Sequence, residues 1–309
     1  MPPHHGRAPL APPPSVNAAP RGRRGFGAFV VTVVTLLVLG VVLRSVGSAL
    51  ARRHHAPTSP AALQASTPPS TGAPSSSPSP SPVSTEVPRV FQRLIDLGYP
   101  VRCGGDRKPL VALTFDDGPG PLSEATITIL RSAEATATFF LVGKELSGWP
   151  ALTDIPSEEL TIGTLGDHTW NHVSLVGKAV GTLASEVLGT QRAITDATGA
   201  PVSLFRPPYG AHDATLDAFL QGHDLLEVLW SIDSLDSQGA SPDEILARVS
   251  SGLRPGAIIL LHENRSTTLH VLPSILSLIK ARGFRTVTVD QLLRRDPPTV
   301  RQLRTGACP

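Results

Sequence analysis

Two adjacent carboxylates, Asp116 and Asp117, directly follow the apolar run at 110–113 (Leu-Val-Ala-Leu), with Phe115 before them and Gly118-Pro119 behind. Burying such a pair without partners is costly. Close carboxylates are usually held by a metal or share a proton. Further on, His168-Thr169-Trp170-Asn171-His172 sets two imidazoles four positions apart. Coiled as a helical turn, that segment faces both rings the same way. Asp117, His168 and His172 together make a two-nitrogen, one-oxygen site. Three protein ligands leave a position open, as in catalytic rather than structural zinc centres. Each half also has a bland reading. A His-x-x-x-His pair is more often surface or core histidine, and Asp-Asp after a strand is more often a turn or a cap. The weight lies in finding both, in this order.

The elements that must position these residues alternate. Strands are expected over 110–115, 136–142, a short stretch before His168, 203–205, 226–232, 257–261 and 284–289. Helices are expected over 123–133, capped by Ser123, and over 183–198, stopped by Gly199. Further helices fall at 213–221, at 242–251 behind Ser241-Pro242, and at 271–281. Such alternation predicts an α/β fold with a parallel sheet or barrel. Asp116, Asp117, Arg206, Asp233 and His262 all fall at strand ends, where a (β/α) barrel carries its chemistry.

Composition divides the 309 residues sharply. Residues 1–25 are rich in Pro, Arg and Gly and read as a disordered cytoplasmic N-terminus. Residues 26–43 hold no charge and are mostly Val and Leu. As a helix they span about 27 Å, just under a hydrocarbon core of about 30 Å. Arg21, Arg23 and Arg24 precede them, which places the N-terminus inside. A transmembrane anchor is favoured over a cleaved signal, for which Ala49-Leu50-Ala51 would be the site. Either way the remainder lies outside the cytoplasm, as a membrane-anchored or a secreted domain. Residues 44–88 form a linker, dominated from 52 onward by Pro, Ser, Thr and Ala, and read as a disordered stalk. Residues 89–309 are the folded domain. Of 27 basic and 25 acidic residues, seven Arg and Glu86 lie in 1–88, leaving 20 and 24, a net of −4. A mildly acidic domain argues against nucleic acid as a partner. Cys103 and Cys308, the two cysteines, lie at the ends of this domain. Outside the cytoplasm a disulfide joining them is expected.

Five short motifs in order carry a resemblance. They are Thr-Phe-Asp-Asp-Gly at 114–118, His168-Thr169-x-x-His172, Arg206-Pro207-Pro208-Tyr209-Gly210, a partial fourth over 230–237 (Trp-Ser-Ile-Asp-Ser-Leu-Asp-Ser), and Leu260-Leu261-His262. Over roughly residues 109–292 the chain resembles the polysaccharide deacetylases of the NodB-homology group, carbohydrate esterase family 4. The resemblance implies a distorted (β/α) barrel with about seven parallel strands. It implies a metal-dependent hydrolase acting on carbon–nitrogen bonds of linear amides, here the acetyl groups of amino sugars.

By the same resemblance Asp117, His168 and His172 bind a divalent metal, with zinc the default and cobalt or nickel the alternatives. Asp116 is the general base, held by Arg206, and His262 is the general acid. Asp236 is the partner of His262 by motif position, with Asp233 as runner-up. The backbone N–H of Tyr209 stabilises the oxyanion, and Leu261 lines an acetate-sized pocket. His212 lies close enough in sequence to the third motif to approach the groove. Trp230 reads as core rather than as a substrate platform. The departure is Ser237, where the family usually carries a Trp as one wall of the groove; serine removes a large apolar face. The expected substrate is a cell-wall polysaccharide, peptidoglycan first, with chitin oligomers or acetyl-xylan as alternatives, and the chain is expected to act as a monomer. A non-catalytic wall-binding module or a purely structural stalked protein is disfavoured, because neither needs both a base and an acid.

Overall fold

The computed structural model describes residues 89–148 and 153–308. The N-terminal tail, the apolar segment 26–43 and the linker 44–88 lie outside the described residues. Among the described residues no helix is long and apolar enough to cross a membrane.

The folded part opens with helix α1 (Arg89–Asp96), followed by β1 (Leu110–Gly118), α2 (Ser123–Ser132), β2 (Ala137–Leu141), α3 (Gly143–Gly148), α4 (Ile155–Ile162) and β3 (Gly163–Asp167). A long helical segment comes next: α5 (Val180–Leu183), a π-helical turn (Ala184–Leu188) and α6 (Gly189–Thr198). Then come β4 (Leu204–Phe205), a 3-10 turn (Pro208–Gly210), α7 (Ala214–Gln221), β5 (Leu226–Glu227) and β6 (Ile232–Asp233). The chain continues through α8 (Pro242–Gly252), β7 (Ile258–His262), α9 (Ser266–Ala281), β8 (Arg285–Val287), α10 (Val289–Arg295) and α11 (Val300–Thr305). The strands pair in the order β5-β4-β3-β2-β1-β7-β6, and β8 lies beside the start of β1. Every strand pairing is parallel. Seven strands follow this curled path, a distorted (β/α) barrel left unzipped between β5 and β6.

The unzipped place is where the sequence reads as a single strand over 226–232. The chain instead forms two strands at opposite ends of the path, β5 on β4 and β6 on β7. In between, the Leu229 N–H donates to Val101 O at 2.7 Å, and the Val101 N–H donates to Glu227 O at 2.9 Å. The segment at Val101 thus takes up backbone groups that a continuous strand would have paired with a neighbour.

Strand alternation sorts the apolar side chains into two cores. Val111, Leu113 and Phe115 of β1 pack with Ile259 and Leu261 of β7 and with α8 and α9. Leu110 and Ala112 instead join Phe140, Leu204, Leu226, Val228 and Ile258, covered by Phe91, Leu94 and Ile95 of α1 and by Leu292 and Leu293 of α10. Each fully buried side chain of that size stabilises by about 1.5–3 kcal/mol over its exposed state.

One local expectation changes and another holds. Ser123 is not a cap: Leu122 holds that position, and the Ser123 hydroxyl accepts the Gly120 N–H at 2.8 Å. Gly199 does end α6 in the left-handed conformation, φ 70°.

Cys103 and Cys308 are disulfide-bonded, 205 residues apart in sequence. Closing so long a loop restricts the unfolded chain by about 5 kcal/mol in the chain-entropy account. Cys103→Ser is therefore expected to lower stability by several kcal/mol. Thermal melts of the parent with and without reductant should bracket the variant; a variant melting with the oxidised parent would remove the staple from the stability argument.

Candidate active site

Asp116 and His262 are direct register partners on the neighbouring strands β1 and β7. Their side chains therefore rise side by side at the carboxyl ends of the sheet. Strand alternation alone would send Asp117 to the opposite face. It does not, because Asp117 takes φ 70° and the β1–β2 register shifts between Asp116 and Gly118. That departure from strand geometry delivers two consecutive carboxylates to one place.

The segment 168–172 is not the expected helical turn. It is an irregular loop after β3 with Thr169 at φ 67° and His172 at φ 55°. Two buried carboxylates hold it. Asp167 accepts the Thr169 N–H at 2.7 Å. Glu186, in the π-helical turn, accepts both the backbone N–H and the side-chain amide of Asn171 at 2.8 Å. The loop still brings the two imidazoles together, ring centroids 5.0 Å apart.

Asp117 Oδ1 lies 3.2 Å from His172 Nε2 and 3.7 Å from His168 Nε2. That oxygen is buried and has no hydrogen-bond partner. His168 Nδ1 lies 2.7 Å from Arg206 O. Donating there leaves the Nε2 lone pair facing the carboxylates. Burial holds His168 below its ordinary pKa, against the pull of Asp116 and Asp117, so the ring is neutral as a metal ligand must be. The orphaned oxygen and the donor set fit a divalent cation held by Asp117, His168 and His172.

Asp116 is 2% exposed. Its Oδ1 accepts from Arg206 at 2.7 Å, and its Oδ2 lies 3.6 Å from His168 Nε2. Arg206 is wholly buried. Its guanidinium also donates to Thr114 Oγ1 (2.8 Å), Val228 O (3.1 Å) and Leu229 O (3.1 Å), and it stacks on Phe140. It thereby satisfies two carbonyls in the gap between β5 and β6. Burial lowers the pKa of the guanidinium, and Asp116 offsets this only in part.

His262 Nδ1 lies 2.6 Å from Asp236 Oδ1. Asp236 Oδ2 accepts the His262 N–H at 2.7 Å and the Thr268 hydroxyl at 2.6 Å. Asp233 is spent on the Leu235 N–H instead. Burial would push the Asp236 carboxyl up, yet the bonds from His262 and Thr268 pull it below the usual range. Burial would push His262 down, and Asp236 with Asp116 and Asp117 outweighs it, so its pKa is raised.

Tyr209 sits at φ 64° in the Pro208–Gly210 turn. Its ring is exposed and meets His172 edge-on, centroids 5.0 Å apart. The Gly210 and Ala211 N–H groups close the turn onto Pro207 O and Pro208 O. Trp230 packs against the core covered by α1 and α10, and its ring leaves no room for a side chain at Gly210. Ser237 is exposed, its N–H donating to Asp236 Oδ1 at 2.8 Å.

Leu261 does not line the site. It is fully buried with Phe115 and Ile259 in the core that packs against α8 and α9. A strand's period of two puts Leu260, not Leu261, on the face shared with His262. His212 turns away as well, toward Asp217 and Glu227. Burial, with Asp217 close by, pushes Glu227 up to about 8, and Arg102 opposes this.

Behind the carboxylates lie residues that sequence reasoning missed. Glu263 and Glu159 are buried against each other, and burial pushes both up. Asn264 donates to Asp117 O at 3.0 Å. Glu263 leaves no space for a side chain at Gly118. The position next to His262 was the available signal for Glu263; Glu159 sits in a helix where an acid reads as surface.

Residues 104–226 match the polysaccharide deacetylase family profile. A peptidoglycan-N-acetylglucosamine deacetylase of Bacillus cereus is 32% identical over 196 residues, 61% of this chain and 90% of that protein. The chain belongs to the polysaccharide deacetylase family. Another deacetylase of this family, the peptidoglycan-N-acetylglucosamine deacetylase of Listeria monocytogenes, is 32% identical over 184 residues, 59% of this chain. The chain spans only 38% of that longer relative. Among solved structures, a family 4 carbohydrate esterase from Streptomyces lividans in complex with acetate aligns with a TM-score of 0.55 at 32% identity. That alignment covers 60% of this chain and 92% of the esterase.

Proposed function

We propose that the chain is a metal-dependent deacetylase that hydrolyses the N-acetyl groups of a cell-wall polysaccharide, peptidoglycan first. One observation carries the reading. A buried, unpartnered carboxylate oxygen faces two imidazole nitrogens, with a second carboxylate on one side and a carboxylate-paired histidine on the next strand. Relatives named for peptidoglycan support the substrate. The same geometry would serve chitin oligomers or acetyl-xylan, and Ser237 is where groove contacts differ from the usual aromatic wall.

Asp117, His168 and His172 would hold the metal, zinc by default. When bound, such an ion polarises an acyl carbonyl and acidifies water beside it. Asp116, fixed by Arg206, takes the proton from the attacking water. His262, kept protonated by Asp236, gives a proton to the departing amine nitrogen, which is a poor leaving group without it. The Tyr209 N–H stabilises the developing oxyanion. Residues 26–43 anchor the protein in the membrane and 44–88 carry the domain, residues 89–309, outward as a monomer.

The acid must be protonated to act. A raised His262 pKa therefore extends activity to higher pH. In Asp236→Asn the supporting charge is lost while burial remains, so that pKa falls. The basic limb of kcat/KM should move to lower pH, with the acidic limb in place. A profile unchanged on the basic side would separate His262 from the acid role.

The reaction itself is tested with the purified chain and acetate release from peptidoglycan, chitin oligomers and acetyl-xylan in parallel. Activity is expected to vanish with chelator and to return with Zn2+, and to be highest on peptidoglycan. Activity that persists through chelation, or no acetate from any of the three, would overturn the proposal.

A further inference from the structure

A second set of donors lies outside the site just described. His212 follows the Pro208–Gly210 turn, Asp217 lies on α7, and Glu227 ends β5. His212 Nδ1 is 3.0 Å from Asp217 Oδ1 and 3.7 Å from Glu227 Oε1. One donor atom from each residue falls within 4.8 Å of the other two. A histidine beside an aspartate would be unexceptional by itself. Glu227 makes the difference. It is 6% exposed, and its Oε1, aimed at His212, is buried without any hydrogen-bond partner. A buried carboxylate oxygen left unpaired is costly, and a second carboxylate beside it adds like charge. A cation between them removes both problems.

We propose that His212, Asp217 and Glu227 bind a second divalent cation of the zinc class. One imidazole nitrogen with two carboxylates is a donor set that such ions accept. The three residues come from three separate elements. A cation there ties α7 and β5 to the loop that carries Tyr209. Its role is therefore to hold the third-motif turn in place, and it takes no part in bond breaking. The site stands on these contacts alone and does not depend on the deacetylase reading.

The test compares zinc content. The full chain, its His168→Ala variant, Glu227→Gln and His212→Ala are stripped with chelator, reloaded with excess Zn2+, gel-filtered and analysed by mass spectrometry for metal. Histidines elsewhere in the chain are common to all four and cancel in the differences, apart from the one replaced. Glu227→Gln and His212→Ala should each hold one equivalent less than the parent. His168→Ala should keep the equivalent that these two lose. As a second readout, zinc should raise the melting temperature of His168→Ala, and adding Glu227→Gln to that variant should abolish the rise. Circular dichroism checks folding, and the partly exposed His212 provides the variant of choice if Glu227→Gln misfolds. Equal zinc in the parent and in folded His212→Ala, with no melting shift, would overturn the second site. Failure of the deacetylase reading would instead show as absent acetate release and would leave the zinc difference untouched.

Discussion

Replacing Asp116 by Asn is expected to lower kcat for acetate release by about 10²–10⁴-fold, the usual contribution of a positioned general base. The substitution keeps the shape and removes the proton acceptor. Zinc content should stay at the parent level, because Asp117, His168 and His172 are untouched. Metal analysis matters here for a geometric reason. Asp116 Oδ2 and Asp117 Oδ1 lie at nearly equal distances from His168 Nε2, 3.6 and 3.7 Å. A variant that lost its metal would move Asp116 into the ligand set. A variant that kept metal and released acetate as fast as the parent would remove it from catalysis. Assays belong well below the melting point, since Arg206 in this variant faces a neutral amide.

Arg206→Met should be the most destabilising single change in the domain. It leaves the Asp116 carboxylate buried without its cation, and breaking a buried pair costs about 3–5 kcal/mol. It also strips the Val228 and Leu229 carbonyls of their donor. For a domain of this size the melting temperature should fall by about 10 °C or more. Arg206→Lys should fall in between, because an ammonium keeps the charge but cannot reproduce a fork with four acceptors. A melting point within 2–3 °C of the parent for Arg206→Met, roughly the effect of a single kcal/mol, would show that the guanidinium is dispensable to the fold.

The sequence was most legible where chemistry and strand ends coincide. The carboxylates after 110–113, the two histidines, Arg206 and His262 all converge in space at the carboxyl ends of the strands. It was least legible where one pattern serves two structures. The apolar run at 226–232 carries no mark of being claimed by two different sheet edges; the break shows only in the pairings of β4 and β7. Leu260 and Leu261 are the same residue type, and only the strand's parity distinguishes site from core. His168 and His172 meet through two left-handed residues and two buried carboxylates, none of which a helical spacing rule anticipates. Glu159 and Glu227 read as ordinary surface acids until the packing around them is known.

The bond between Cys103 and Cys308 has a consequence for wear. All eight strands lie between those two residues. A protease that cuts the backbone once anywhere in that span frees no fragment, because both pieces remain covalently joined through sulfur. The nick is invisible on a non-reducing gel and appears only after reduction. A domain exposed to proteases can thus survive its first cut with sheet and site still in one molecule.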